Sequence, residues 1–196
     1  KQRKNKIVLI INGGQVTELI DKQGNKLVRV VDNYFPKFIT DLVHTDLEMM
    51  PVAYTNSPYR HFHKSRFFGT MLYHEDKFAD IPYYWFVDYF NRCIMGDVCK
   101  DLNITNCHRI LMNMQLPGMD GQNHTDSDDD DYLSIIYMGH GNSGDTVIVN
   151  EEDKEQRVSF KEGRMVIFKS KMWHRGEAPT EGLRCTLGAV YPLFKV

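Results

Sequence analysis

The chain has 196 residues, 42% hydrophobic, 26% charged and 12% aromatic, a make-up that excludes a disordered or collagen-like polymer. A chain this long buries roughly 70% of its unfolded surface, enough for one core and too little for two, which predicts one domain over the whole chain. Lysines and arginines number 24 against 26 aspartates and glutamates, a net charge of -2, so no basic excess draws it to nucleic acid or anionic lipid. Cys93, Cys99, Cys107 and Cys185 show neither a C-x-x-C pair nor framework spacing, which predicts a reducing, intracellular setting and a cytoplasmic location. The first apolar run, 7–11, is far too short to span a membrane.

Taken in chain order, 6–12 and 26–31 are rich in Val, Ile and Leu and read as two early strands. Pro36 suits a first helical turn, and Phe38, Ile39, Leu42, Val43 and Leu47 recur at helical spacing. Residues 51–72 carry prolines, glycine and several aromatics without a sustained period, and read as a long loop and a plausible lid. Pro82 opens a second helix through Gly96, with Trp85, Phe86, Tyr89, Phe90 and Ile94 as its core stripe. From residue 108 onward short strands follow at regular intervals, at 109–115, 132–138, 146–149, 157–160, 165–168 and 183–191. Such a block predicts a sandwich or barrel.

A metal site with two imidazoles and one carboxylate on one side leaves the opposite face open, and His-x-Asp supplies two of the three ligands from one extended segment. About one such tripeptide is expected by chance, so context must choose among the copies. His44-Thr45-Asp46 falls in the first helix, where i and i+2 diverge by about 200°. Both cannot hold one ion. His74-Glu75-Asp76 precedes a helix, not a strand block, and is the rival; a solvated loop is its simpler role. His124-Thr125-Asp126 follows a strand and a turn and precedes five more strands. Only His140 and His174 come later; His140 reads as a turn residue in a glycine-rich stretch, which leaves His174 as third ligand. Alternation in the last strand turns Arg184, Thr186 and Gly188 to one face. A guanidinium aimed inward there needs an anion, and its fork suits a carboxylate. His61-x-His63 offers a further pair of imidazoles, more simply read as solvated. The run 126–131 starts like a calcium loop but has Asp131 where glycine is required and Tyr137 where the bidentate glutamate belongs.

The stretch Asn113-Met-Gln-Leu-Pro-Gly118, with His124-Thr-Asp126, Ile136-Tyr-Met138, Gly144-Asp-Thr146, 163–168, His174-Arg-Gly176 and Arg184-Cys-Thr186, resembles the iron(II)/2-oxoglutarate-dependent oxygenases. The branch it is most similar to is the prolyl-hydroxylase-like group, which includes small members encoded by marine bacteriophages; for such a member the cytoplasm is the host's. The resemblance covers 107–191 with ordered motifs and 28–106 more loosely.

It implies a mostly β fold with flanking helices, a double-stranded β-helix (jelly roll), in which 1–106 supply N-terminal strands and support helices and 107–196 the metal-binding core. It implies Fe(II) held by His124, Asp126 and His174, and 2-oxoglutarate anchored by Arg184, with Tyr137 and Gln115 as further cosubstrate contacts. The expected activity is a dioxygenase reaction using molecular oxygen to hydroxylate a C–H bond with release of succinate and carbon dioxide, ascorbate serving as reductant. The prime substrate, a prolyl or other peptidyl residue or a small molecule, is left open. Nucleic-acid demethylases of this superfamily carry a second arginine where this chain has Val190, and halogenases lack the carboxylate present here as Asp126. The alternatives are a binding jelly roll and a cupin-type metal oxygenase that does not use 2-oxoglutarate.

Overall fold

The computed structural model describes residues 6–11, 14–20, 26–54, 67–75, 77–78, 84–150 and 153–194. An N-terminal meander of β1 (Lys6–Ile11), β2 (Gly14–Ile20) and β3 (Lys26–Asp32) precedes helix α1 (Lys37–Met49). Then come β4 (Ala53–Tyr54), β5 (Phe68–His74), β6 (Lys77–Phe78) and helix α2 (Tyr84–Cys93), which runs into a single π-helical turn at Ile94–Val98. The C-terminal part is all strand: β7 (Arg109–Gln115), β8 (Tyr132–Gly141), β9 (Thr146–Val149), β10 (Glu155–Val158), β11 (Met165–Lys169), β12 (His174–Gly176) and β13 (Arg184–Pro192).

The strands form two antiparallel sheets. The larger has the order β1-β2-β3-β11-β8-β13-β7-β5-β4, with β6 paired to β5; the smaller is β10-β9-β12. From 132 to 192 the chain crosses repeatedly between the sheets, with β8 in the large one, β9 and β10 in the small one, β11 in the large, β12 in the small and β13 in the large, which is the winding of a double-stranded β-helix. Because strand side chains alternate between faces, the large sheet separates two cores. One face, carrying Ile110, Met112, Ile135, Tyr137, Met165, Ile167, Leu187, Ala189 and Tyr191, packs against Val43 and Leu47 of α1 and Val87 and Phe90 of α2. The opposite face carries Met138, Val166 and Phe168 and meets Ile148 of the small sheet. The candidate site lies on this inner side.

Several local expectations change. β2 was not among the expected strands; it needs its partners, because only the pairing of Val16 with Val31 and Leu19 with Val28 makes its mixed polar composition a strand. β10 begins two residues before the expected 157–160 and β8 extends to Gly141, so His140 lies within a strand and is not a turn residue. The region 51–72 is not all loop, since β4 and the start of β5 lie within it. Residues 55–66, with His61 and His63, lie outside the described residues. His74 ends a strand, and Asp76 lies outside the described residues. In both helices the buried stripe is narrower than the apolar one. Phe38 and Leu42 are exposed while Val43 and Leu47 are buried, and Trp85 and Tyr89 are exposed while Val87, Phe90 and Ile94 are buried. Among the described residues, no helix is long and apolar enough to cross a membrane. The four cysteines are free thiols.

Candidate metal centre

His124 sits on the segment leading into β8, and His174 opens β12. The two backbones exchange both hydrogen bonds, N–H to O at 3.0 and 2.9 Å, in an isolated antiparallel bridge that occupies the place of a fourth strand in the small sheet. The Asp126 N–H donates to the Ser170 carbonyl at 2.9 Å, so the third side chain is fixed by backbone too. His124, Asp126 and His174 thus present one ligand atom each within 4.8 Å of one another.

Each imidazole is oriented for coordination. His124 Nδ1 donates to the Gln122 carbonyl at 2.9 Å and His174 Nδ1 to the Met172 carbonyl at 3.0 Å, which leaves both Nε2 lone pairs free to face a metal. His174 packs edge-on against the ring of Phe168, 4.8 Å between centroids. Burial lowers the His174 imidazole below its ordinary value against the pull of Asp126, so it is neutral at physiological pH, the state a metal needs. Burial pushes the Asp126 carboxyl up, but His174, Arg109 and the Ser134 hydroxyl outweigh it and hold the group below the usual carboxylate value.

Two partners of Asp126 were not anticipated from sequence. Arg109 Nη2 donates to Oδ1 at 2.6 Å, and the Ser134 hydroxyl donates to Oδ2 at 2.7 Å while receiving a hydrogen bond from Ser170 Oγ at 2.8 Å. Arg109, Ser134 and Ser170 come from β7, β8 and the turn after β11. The signal that could have found them is parity: Arg109 and Ser134 fall on the inward face of strands whose alternate residues are core.

Arg184 is 3% exposed and opposite Gln115 in the β13–β7 pairing. Its guanidinium donates to Gln115 Oε1 at 2.8 Å, Thr146 Oγ1 at 2.9 Å and, through Nε, the Gly144 carbonyl at 2.9 Å. Gln115 is itself held by Nε2 bonds to the carbonyls of Met119 and Gly176, at 2.7 and 3.1 Å. Among the described residues no carboxylate lies within ion-pair distance of Arg184. Burial lowers the guanidinium to about 10, still charged at neutral pH. Space for it is made by glycine: a Cβ on Gly176 would sit 2.7 Å from Arg184 Nη1 and 2.9 Å from Gln115 Oε1.

The structure brings His124, Asp126, His174, Gln115 and Arg184 to the interior between the sheets. It does not bring Tyr137 there. Tyr137 is fully buried on the other face of β8, its ring 5.7 Å from Phe35 and 5.6 Å from Phe90. The expected cosubstrate contact is therefore corrected: Ile136 and Met138, its neighbours in the strand, are the residues that face inward.

No protein-family profile matches the sequence, and no curated protein matches it. Solved structures do. A prolyl hydroxylase from Trichoplax adhaerens, in complex with a hypoxia inducible factor oxygen degradation domain peptide fragment, superposes with a TM-score of 0.67 at 14% identity, covering 84% of this chain and 83% of that one. A prolyl-4-hydroxylase from Pseudomonas putida gives 0.63 at 14% identity, covering 84% and 92%. The fold is that of the prolyl hydroxylases and 2-oxoglutarate–Fe(II) oxygenases. The epimerase SnoN from nogalamycin biosynthesis, a non-heme α-ketoglutarate-dependent enzyme, shares this fold with a TM-score of 0.61 at 9% identity, covering 85% and 78%. One scaffold therefore carries different reactions, and chemistry has to be argued from the site.

Proposed function

We propose that this chain is an iron(II)- and 2-oxoglutarate-dependent oxygenase that hydroxylates a C–H bond, with a peptidyl residue such as proline as substrate. The observation that carries the reading is the buried Arg184 guanidinium, without a carboxylate partner among the described residues, in the same interior as the His124–Asp126–His174 cluster. Burying that charge is costly unless an anion meets it. His174 and Gly176 project to the same face of β12, about 6.6 Å apart along the strand, and Gly176 lies against Arg184. A five-carbon dicarboxylate reaches across that interval, one end at the ligand cluster and the other on the guanidinium fork.

The donor set fits Fe(II): two imidazoles whose Nε2 atoms face the site and one carboxylate, all on one side of it. When bound, iron and 2-oxoglutarate supply oxidation of a C–H bond by molecular oxygen, coupled to release of carbon dioxide and succinate. The chain's own residues do the positioning. Ser134 and Arg109 fix the Asp126 carboxylate, the Gln122 and Met172 carbonyls hold the imidazole tautomers, and Gln115 and Thr146 aim the guanidinium. Phe168 closes the wall behind His174 against water. The peptide bound by the Trichoplax relative supports a peptidyl substrate for this chain.

The test is succinate formation by the purified chain with Fe(II), ascorbate and 2-oxoglutarate, without and with proline-containing peptides. Iron-dependent succinate that rises when a peptide is added, together with a mass increase of one oxygen in the peptide, supports the reading. Tight iron binding with no succinate under either condition overturns it in favour of a cupin-type oxygenase, and neither iron nor 2-oxoglutarate binding favours a binding jelly roll.

A further inference from the structure

A second cluster of ligand-type side chains lies on the opposite face of the large sheet. A register shift between Cys185 and Thr186 of β13 places a bulge at Gly139 of β8. Beyond it His140 pairs with Cys185, a residue of the helix-facing core, so its side chain turns toward α1. Gly139 allows the helix to come close, since a Cβ there would run into the Leu47 side chain. As a result His140 meets His44 of α1, the histidine whose His-x-Asp tripeptide does not act as a unit, with ring centroids 3.6 Å apart. Glu162, in the turn before β11, completes the group.

Three ligand atoms converge. His44 Nδ1 and His140 Nδ1 are 3.0 Å apart, and Glu162 Oε1 lies 3.3 Å from the first and 3.2 Å from the second. The Gly141 N–H donates to the same oxygen at 3.3 Å and fixes it. Bonds of about 2.0–2.1 Å around a tetrahedral Zn2+ put neighbouring ligand atoms about 3.3–3.4 Å apart, close to the edges of this triangle. Without a cation two lone-pair-bearing nitrogens and a carboxylate oxygen crowd one another with too few protons to bond every pair. On the far edge of the imidazoles, Glu48 Oε1 lies 3.4 Å from both His44 Nε2 and His140 Nε2, placed to receive the N–H groups that Nδ1 coordination leaves there. A carboxylate behind the imidazole is the common second partner of a zinc-bound histidine. The side chains are between 21% and 49% exposed, which leaves room for a water as fourth ligand.

We infer that His44, His140 and Glu162 form a separate Zn2+ site, backed by Glu48, that ties α1 to β8 and to the turn before β11. It is distinct from the interior cluster and does not depend on the proposed reaction.

The test uses the full chain stripped with chelator and then dialysed against Zn2+, with bound metal counted by elemental analysis, in the parent, H44A, E162Q, H174A and the H44A–H174A double variant. The parent is expected to bind one equivalent more than H44A, the double variant none, and E162Q to hold this zinc at least tenfold more weakly. Co2+ should give the strong visible absorption of a tetrahedral site in the parent and in H174A, lost in H44A. His44 is on a partly exposed helix face, so H44A keeps its fold, and circular dichroism checks this; E162Q reads the same site should H44A lose structure. Equal zinc content in parent, H44A and E162Q overturns the inference. Failure of H174A to lower metal content while H44A does so instead counts against the interior site alone.

Discussion

His124 and His174 hold each other by backbone: each donates its N–H to the other's carbonyl, so the two imidazoles enter the site from adjacent, hydrogen-bonded segments. The ligand geometry therefore does not depend on either side chain being present. His174→Ala should abolish metal binding at the interior cluster and iron-dependent succinate formation while far-ultraviolet circular dichroism stays native. Retained activity with native spectra would show that a different residue holds the metal.

On the proposed reading, Arg184 is expected to act on the cosubstrate and not on the metal. Arg184→Lys keeps the charge and loses the fork; with a buried charge-assisted contact worth roughly 1.5–3 kcal/mol, part of that goes, and apparent 2-oxoglutarate affinity should fall by about one order of magnitude. Arg184→Ala should be worse, and iron stoichiometry should be preserved in both. Calorimetric titration reads both quantities; unchanged affinity in the alanine variant removes Arg184 as the anchor.

Gly176 tests the same pocket without removing a charged group. A methyl at this position meets Arg184 Nη1 and Gln115 Oε1, and must displace a guanidinium that has no free space. Gly176→Ala is expected to weaken 2-oxoglutarate about tenfold with iron affinity within twofold of the parent. Equal losses of both ligands would mean that β12 itself has shifted.

Tyr137→Phe should leave 2-oxoglutarate affinity unchanged, because the ring faces Phe35 and Phe90 and not the site. A tenfold weaker cosubstrate in this variant would bring Tyr137 back to the pocket.

Asp32 at the end of β3 and Arg164 before β11 form a two-point ion pair, Nε to Oδ1 at 2.7 Å and Nη2 to Oδ2 at 2.8 Å. Burial pushes the Asp32 carboxyl up, but Arg164, with Lys161, lowers it below its ordinary value of 3.8. A depressed folded-state value means that the pair's stabilisation is complete above the unfolded carboxylate range and is lost as pH falls through the folded value. Asp32→Asn should cost about 2 kcal/mol at pH 7, and the cost should shrink as the pH falls below 3.8 and through the folded-state value. Denaturant melts of both proteins across a series of acidic pH values measure it.

Much of this site was legible in one dimension. A His-x-Asp in extended chain brings imidazole and carboxylate to one side whatever surrounds it, and period-two alternation in 184–188 turns Arg184 inward beside Thr186. The strand at 109–115 was legible too, because a half-buried strand shows its face by alternation, and 146–149 was legible as a short run of β-branched residues between turns. The rest was decided in three dimensions. Nothing local says that Arg109 and Ser134, 25 residues apart in number, grip opposite oxygens of Asp126, or that β2 finds partners on both sides. Tyr137 has the composition of a site residue and the parity of a core one, and only the sheet's packing says which face is the core. His140 needed a bulge as well. One inserted residue at Gly139 reverses the face of everything beyond it, and bulges are set by pairing with another strand, which no single stretch of sequence contains.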